Sequence, residues 1–203
     1  ALEAIGGAIT LTYGFTNAVA AILVVALVIF VTGTPISLYA ARHGVDIDLL
    51  TRGAGFGYLG STITSLIYAS FTFIFFALEA AIMAKALQLG FGLPEWIGFV
   101  VSSLVVIPLV TYGFTFLSRF QLWTQPLWIV LHVTPFVTIA LFDTGTVEAW
   151  TRHTGRLGHL DGAFDLTLFG AASGVVFSLV AQIGEQVDFL RFLPVKGRGR
   201  EVA

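Results

Sequence analysis

Residues 17–41 read NAVAAILVVALVIFVTGTPISLYAA, a run of 25 positions without a charged side chain. A helix that crosses the hydrocarbon core of a bilayer needs about 20 apolar residues, so this run is long enough to cross one. The rest of the chain has the same character, because 57% of its 203 residues are hydrophobic and only 11% are charged. Soluble domains contain about 25% charged residues. The composition therefore predicts a membrane protein.

The same composition excludes several classes of function. The net charge is −2, so no basic excess favours a nucleic-acid partner. Cysteine is absent, which excludes a disulfide framework and a thiolate metal site. The chain begins in largely apolar sequence without an initiator Met or a basic region. We therefore expect an internal fragment of a longer protein and not a signal peptide.

Uncharged runs predict where the membrane helices lie. The first run, residues 4–41, is too long for one crossing and contains the turn-forming stretch Tyr13–Asn17. With the later runs it predicts six segments, at about 1–14, 17–41, 61–89, 95–112, 124–142 and 165–186. Backbone groups in lipid must be hydrogen-bonded internally, and the runs lack the alternation of a β-barrel, so we predict an all-α, polytopic membrane helix bundle. The transmembrane domain is expected over residues 1–194, with a basic cytoplasmic tail or linker over 195–203.

Basic residues predict the orientation of these segments. Loops on the cytoplasmic side of a membrane are enriched in Lys and Arg. One side of the predicted bundle holds seven such residues and the other holds two, Arg152 and Arg156. The sequence therefore predicts a multi-pass protein of the inner (cytoplasmic) membrane, with residues 143–164 outside and the C-terminal end of the chain in the cytoplasm. A short interfacial helix is expected around Val147–Arg152.

Residues 51–62, TRGAGFGYLGST, contain the pattern G-x-G-x-x-G. In a dinucleotide-binding unit this pattern follows a strand, opens a helix and is followed by an acid about 20 residues later. Glu79 lies at that distance, but it falls inside the third segment, and no strand precedes the glycines. We therefore predict that the glycines allow close helix approach instead of nucleotide binding. Asp48 and Arg52, four residues apart, are expected to pair on a short amphipathic helix.

An acidic residue inside an apolar segment is the strongest functional signal. Glu79 follows 26 uncharged residues, and inserting an acid there costs about 3 kcal/mol. Thr72, Phe75 and Glu79 are spaced by three and four residues and so share one helix face. That face offers a hydroxyl, an aromatic ring and a carboxylate to a ligand or ion. The alternative is a structural hydrogen bond from Glu79 to a neighbouring helix.

Glycine pairs interrupt the first and sixth segments. Gly6-Gly7 and the stretch Gly170–Gly174 are the kind of matched interruptions at which transporter helices unwind and bind substrate and ions. The alternative is close helix packing by small residues. Glu3 lies one turn before Gly6-Gly7 and is the second candidate acid.

Three ordered motifs resemble those of one transporter family. They are RGAGFGYLGS at residues 52–61, FFALEA at 75–80 and VDFLRF at 187–192. They are similar to the motifs of the purine–cytosine permeases, the nucleobase:cation symporters. In that family the second cytoplasmic loop carries Arg…Phe-Gly…Gly, the third segment carries aromatic-Phe-x-x-Gln, and the sixth ends in Asp-Phe/Tyr-Ser-Arg-Tyr. The resemblance implies a LeuT-type fold of two inverted five-helix repeats, of which this chain is the first repeat and one further helix.

The resemblance also implies site residues. It assigns substrate binding to Glu79, Phe75, Thr72, Gly174 and Phe177, and binding of a coupling ion, Na⁺ or H⁺, to Glu3, Gly6 and Gly7. It assigns a cytoplasmic structural motif to Arg52, Asp188 and Arg191. No other cofactor and no metal site are expected. The sequence departs from the family at Phe75, where Trp is common, and at Glu79, where Gln is common, which puts nucleobase specificity in doubt.

The stretch AQIGEQVDFLR at residues 181–191 resembles a narrower group, the permease-like membrane domains of hybrid sensor histidine kinases. This resemblance implies a solute-binding input module in the bilayer, with a kinase as the C-terminal partner in the same chain. The chain itself carries no enzyme motif. The alternatives are a stand-alone purine/pyrimidine-type cation symporter and a structural membrane bundle.

Overall fold

A computed structural model describes residues 2–158 and 161–193. The predicted tail at 195–203 lies outside the described residues. The described part is all-helical in its regular structure, with no strand. Its elements are α1 (Leu2–Tyr13), α2 (Phe15–His43), α3 (Ile47–Thr51), a π-helical turn (Arg52–Phe56), α4 (Gly57–Phe91), α5 (Glu95–Thr111), α6 (Gly113–Phe142), α7 (Thr144–Thr151), α8 (Leu166–Phe177), a 3-10 turn (Ser178–Ala181) and α9 (Gln182–Leu190).

The all-helical prediction is confirmed for the described chain, and four of its stretches are long and apolar enough to cross a membrane, which indicates a membrane protein. The stretches are Phe15–His43, Ile47–Phe91, Thr115–Phe142 and Leu166–Leu190. The apolar helix Glu95–Pro108 is shorter, and α1 has 12 residues. The count of six crossings and their orientation stay predictions.

The chain divides into two compact units. The first comprises Leu2–Ile74 together with the chain from His153 onward, and the second comprises Phe75–Arg152.

In the first unit, α2 packs against α1, α8 and α9. Its buried cluster consists of Ile9, Ala18, Val25 and Val176. Much of the buried face of α2 is made of small residues, including Gly33, at which an added Cβ would lie 3.3 Å from the Ile183 side chain. Helices in lipid gain little from hydrophobic exclusion, so small residues that permit close van der Waals contact are what hold them together.

The predicted break between the first two segments is confirmed at Gly14. Its φ of 85° lies in the left-handed region that glycine adopts without a Cβ penalty. The chain from His153 onward covers this break, because Phe15 N donates to His153 O at 2.8 Å and Leu157 N donates to Thr12 O at 2.9 Å. These bonds satisfy backbone groups that the two helix ends leave without partners.

In the second unit, α4 and α5 meet through small residues and a surface ion pair. A Cβ added at Gly98 would lie 2.7 Å from Ala84 Cα, and Lys85 Nζ lies 2.9 Å from Glu95 Oε2. The next helix, α6, begins at Gly113, eleven residues before the predicted start of segment five at 124. The helix extends beyond the predicted segment because a charge such as Arg119 ends an uncharged run without ending a helix.

The expected unwinding at the glycine pairs is not seen. Gly6-Gly7 lie within α1, and Gly170–Gly174 lie within α8, both of which are continuous α-helices. Glycine costs about 1 kcal/mol in a helix relative to Ala, which permits a break without forcing one. The sixth segment departs from α-helix later, at the 3-10 turn Ser178–Ala181.

Candidate functional site

The predicted solute-binding face lies on α4, which is one uninterrupted helix from Gly57 to Phe91. The Thr72 hydroxyl donates to Tyr68 O at 3.0 Å, the Phe75 side chain is half-buried, and Glu79 is exposed on the helix surface. The adjacent Ala80 is buried. The packed side of α4 therefore passes through Ala80, and Glu79 presents its carboxylate beside it from within an apolar span.

The predicted ion-binding residues occupy α1. Glu3 and Gly7 are exposed and Gly6 is half-buried. The carbonyl oxygen of Gly6 accepts a hydrogen bond from the Thr10 hydroxyl at 2.8 Å. The same carbonyl also accepts the helix hydrogen bond from Thr10 N, so both of its lone pairs are used within α1.

A groove of about 450 Å³ in the first unit lies between α2 and the α8–α9 connection. Four polar side chains line it among apolar ones: Thr34, Ser37, Gln182 and Gln186. The predicted residues Gly174 and Phe177 are not among its lining residues, although Val176 and Leu179 from the same helical stretch are. Polar side chains within membrane segments face protein interiors or wet cavities, so this polar groove is a second candidate site. Gln182 and Gln186, four residues apart in the sixth segment, were the sequence signal that could have revealed it.

The predicted structural motif is brought together with the α2–α3 connection, again in the first unit. Arg191 Nη1 lies 2.8 Å from Asp46 Oδ2, and Asp188 Oδ1 accepts a hydrogen bond from Ile47 N at 3.1 Å. Sequence reasoning missed Asp46, whose partner Arg191 is 145 residues away.

Arg52, the third residue of the predicted motif, lies apart from the Asp46–Arg191 pair. Its guanidinium binds Asp48 at 2.6 Å and lies 4.9 Å from the Tyr58 ring centroid. The Asp48–Arg52 pair is as predicted.

A buried amide was also missed. Asn17 is only 2% exposed; its Nδ2 donates to Tyr13 O at 3.0 Å, and its Oδ1 accepts from Asp165 N at 2.9 Å. Asp165 in turn caps α8 by accepting from Leu168 N at 2.9 Å. Asn17 thus joins the end of α1 to the start of α8, next to the break at Gly14.

Among the described residues, no group of three or more His, Cys, Asp or Glu side chains is arranged to hold a metal ion. The chain matches no family model, and no curated protein or solved structure is significantly similar to it.

Proposed function

We propose that this chain is part of a transporter-like membrane domain that binds a small nitrogenous, nucleobase-like solute together with Na⁺ or H⁺. We further propose that the domain acts as the input module of a hybrid sensor histidine kinase in the inner membrane. The observation that carries the proposal is the carboxylate of Glu79, which lies in the 45-residue stretch Ile47–Phe91 that is apolar enough to span a bilayer.

A carboxylate at such a position is costly unless it is paired, protonated or directed into a wet cavity. A nitrogenous ring supplies N–H donors that a carboxylate accepts in a charge-assisted hydrogen bond. Phe75, one turn before Glu79, supplies an aromatic face, and stacking of a base on such a face contributes about 1–3 kcal/mol. Acid and ring together fit a flat, hydrogen-bonding solute better than a lipid or an inorganic ion alone.

The polar groove of the first unit supports the same class of function. Its volume of about 450 Å³ falls within the range of about 300–1,000 Å³ that is usual for small-molecule sites. Its hydroxyl and amide groups are neutral hydrogen-bonding groups, which suits passage or binding of a polar, uncharged solute.

The test is direct binding to the full protein that contains this chain, reconstituted in lipid nanodiscs. Purine bases, pyrimidine bases and a carbocyclic ring without nitrogen would each be titrated by isothermal calorimetry in Na⁺ and in choline buffers. The proposal predicts binding of at least one nitrogenous class, with affinity that depends on Na⁺ or on pH. Absence of binding by both nitrogenous classes under all these conditions would refute it.

The stand-alone symporter is distinguished by uptake into proteoliposomes under an imposed Na⁺ or H⁺ gradient. Concentrative uptake of the bound solute would favour the symporter. Binding without uptake, together with a solute-dependent change in autophosphorylation, would favour the sensor.

A further inference from the structure

The segment between α2 and α4 is a short arm bounded by glycines. We define the α3 arm as residues 45–56, which contain α3 and the π-helical turn, and neither element has a buried residue. Gly44, with φ of 65°, ends α2 before the arm. Gly55 and Gly57, with φ of 107° and 64°, form the turn that leads into α4. Few buried contacts place such a segment at the low end of local stability.

The arm forms one wall of an apolar groove of about 710 Å³. Val45, Ile47, Leu49 and Leu50 line it from the arm. The opposite walls come from α2 and from the α8–α9 connection, through residues such as Tyr39 and Ile183. The arm therefore forms one side of an open apolar groove, and its contact with α9 includes Ile47, which lies 3.6 Å from the position of an added Cβ at Gly184.

The amino end of the arm is held to α9 by two polar contacts. Arg191 Nη1 lies 2.8 Å from Asp46 Oδ2, and Ile47 N donates to Asp188 Oδ1 at 3.1 Å. The side chains of the ion pair remain 38% and 28% exposed, and ion pairs with this degree of exposure contribute little. The exposed ion pair therefore adds little to the stability of the closed position.

The carboxyl end of the arm is attached to α4 instead. Ser65 Oγ donates to Asp48 Oδ1 at 3.2 Å, and Arg52 Nε donates to Ser61 Oγ at 3.4 Å. The amino end of the arm can therefore move away from α9 while its carboxyl end stays on α4, because Gly44 can change its backbone angles at little cost.

The glycines of the turn have a backbone role and no steric one. A Cβ added at Gly53, Gly55 or Gly57 would meet no atom within 4 Å. Gly53 has an ordinary φ, whereas Gly55 and Gly57 have positive φ values that L-residues with a Cβ adopt only with strain. The prediction that these glycines allow close helix approach is therefore wrong for Gly55 and Gly57. The third glycine of the pattern, Gly60, leaves room for Phe56, whose Cβ would lie 2.9 Å from an added Cβ.

We propose that the α3 arm is a lid over the apolar groove, latched to α9 through Asp46–Arg191 and Ile47–Asp188 and hinged at Gly44. Opening the latch separates α3 from α9 and exposes the groove at this end of the first unit. The lid does not depend on which solute the chain binds, so its test can fail without affecting the proposed function, and the reverse also holds.

The latch is tested by the distance between spin labels at Leu49 and Gln186, which lie on the arm and on α9 and are exposed. The chain has no cysteine, so L49C/Q186C places both labels specifically in this domain. Pulsed electron paramagnetic resonance on the nanodisc-embedded full protein should show one short distance for the closed lid. R191Q and D188L should each raise the ratio of open to closed molecules by roughly fivefold, the scale of one marginal contact.

Two matched variants control for general damage. D188N keeps an oxygen that accepts from Ile47 N, and R152Q breaks an exposed ion pair with Glu148 in the second unit. Both should retain the short distance.

The hinge is tested with G44A and G53A, of which only G44A places a Cβ at a positive φ. G44A should shift the distance distribution and G53A should leave it unchanged. A single unchanged distance in the R191Q/D188L double variant would overturn the lid, and so would equal shifts in R152Q and R191Q or in G53A and G44A.

Discussion

The side-chain amide of Asn17 joins two points of the chain that are 148 residues apart, because its Oδ1 accepts a hydrogen bond from Asp165 N at 2.9 Å. The same buried side chain donates to Tyr13 O at 3.0 Å. Removing the amide leaves a backbone donor and a backbone acceptor without this partner, at a cost of about 1–3 kcal/mol for each group that stays dry.

Asn17→Ala should therefore lower the thermal unfolding midpoint of the protein in nanodiscs, followed by tryptophan fluorescence. The matched control is Thr16→Ala, which removes one exposed hydrogen bond to Gly162 O and should cost at most about 1 kcal/mol. Equal midpoints for the two variants would contradict the structural role of Asn17.

The contact between α4 and α5 predicts opposite effects at two glycines. Gly98→Ala places a Cβ 2.7 Å from Ala84 Cα, so it should destabilise the second unit by about 1–3 kcal/mol through overpacking. Gly90→Ala adds a Cβ where nothing lies within 4 Å and should be neutral or stabilise by about 0.5–1 kcal/mol. Urea unfolding of both variants measures the difference, and a Gly98→Ala variant as stable as Gly90→Ala would rule out the close approach.

Asp143 predicts a pH dependence at α7. The hydrogen bonds from the Thr146 hydroxyl, at 2.6 Å, and from Thr146 N hold the pKa of the Asp143 carboxyl below its usual range. A carboxyl whose folded pKa is lowered stabilises the fold above its unfolded pKa, and this stabilisation is lost as pH falls through the folded pKa.

Hydrogen exchange of residues 144–151, corrected for the intrinsic rate, should therefore accelerate as pH falls below about 4. Asp143→Ala should exchange rapidly at every pH. Protection of α7 that is the same in the variant and the wild type at neutral pH would show that the cap is not formed.

The predicted orientation is tested by labelling from one side of the membrane. Cysteines introduced at Gly145 and at Phe56 should react with an impermeant maleimide from opposite faces of sealed vesicles, because the basic-residue bias places 143–164 outside and the α2–α4 connection inside. Reaction of both from the same face would reject the topology.

Helix positions followed from the sequence because the bilayer imposes one length scale and one solvent on every crossing segment. The break at Gly14 was readable from Tyr13–Asn17 for the same reason, since a 38-residue uncharged run, 4–41, exceeds that scale. The start of α6 at Gly113 was missed because Arg119 interrupts the hydropathy of the segment but not its backbone hydrogen bonds.

Site geometry was less predictable. The polar groove forms where α2 contacts α9, and the Asp46–Arg191 pair joins residues 145 positions apart. Local sequence periodicity does not predict contacts between such distant residues. The glycines at 170–174 suggested an irregular turn there, whereas the turn of the sixth segment lies at Ser178–Ala181. Glycine allows a helix to break without requiring it. The roles of Glu79, Phe75 and Thr72 stay predictions.

The central claim is that Glu79 binds the solute, and a binding titration across pH tests it most directly. Wild type, Glu79→Gln, Glu79→Ala and Phe75→Ala would be compared in nanodiscs, with Glu95→Gln as a control that removes an acid paired to Lys85 at 2.9 Å. We predict that Glu79→Ala abolishes binding, that Glu79→Gln flattens the pH dependence, and that Phe75→Ala weakens binding by about 1–3 kcal/mol. Glu95→Gln should bind as the wild type does. Identical affinities and pH profiles in all five proteins would contradict the account and leave Glu79 a structural residue.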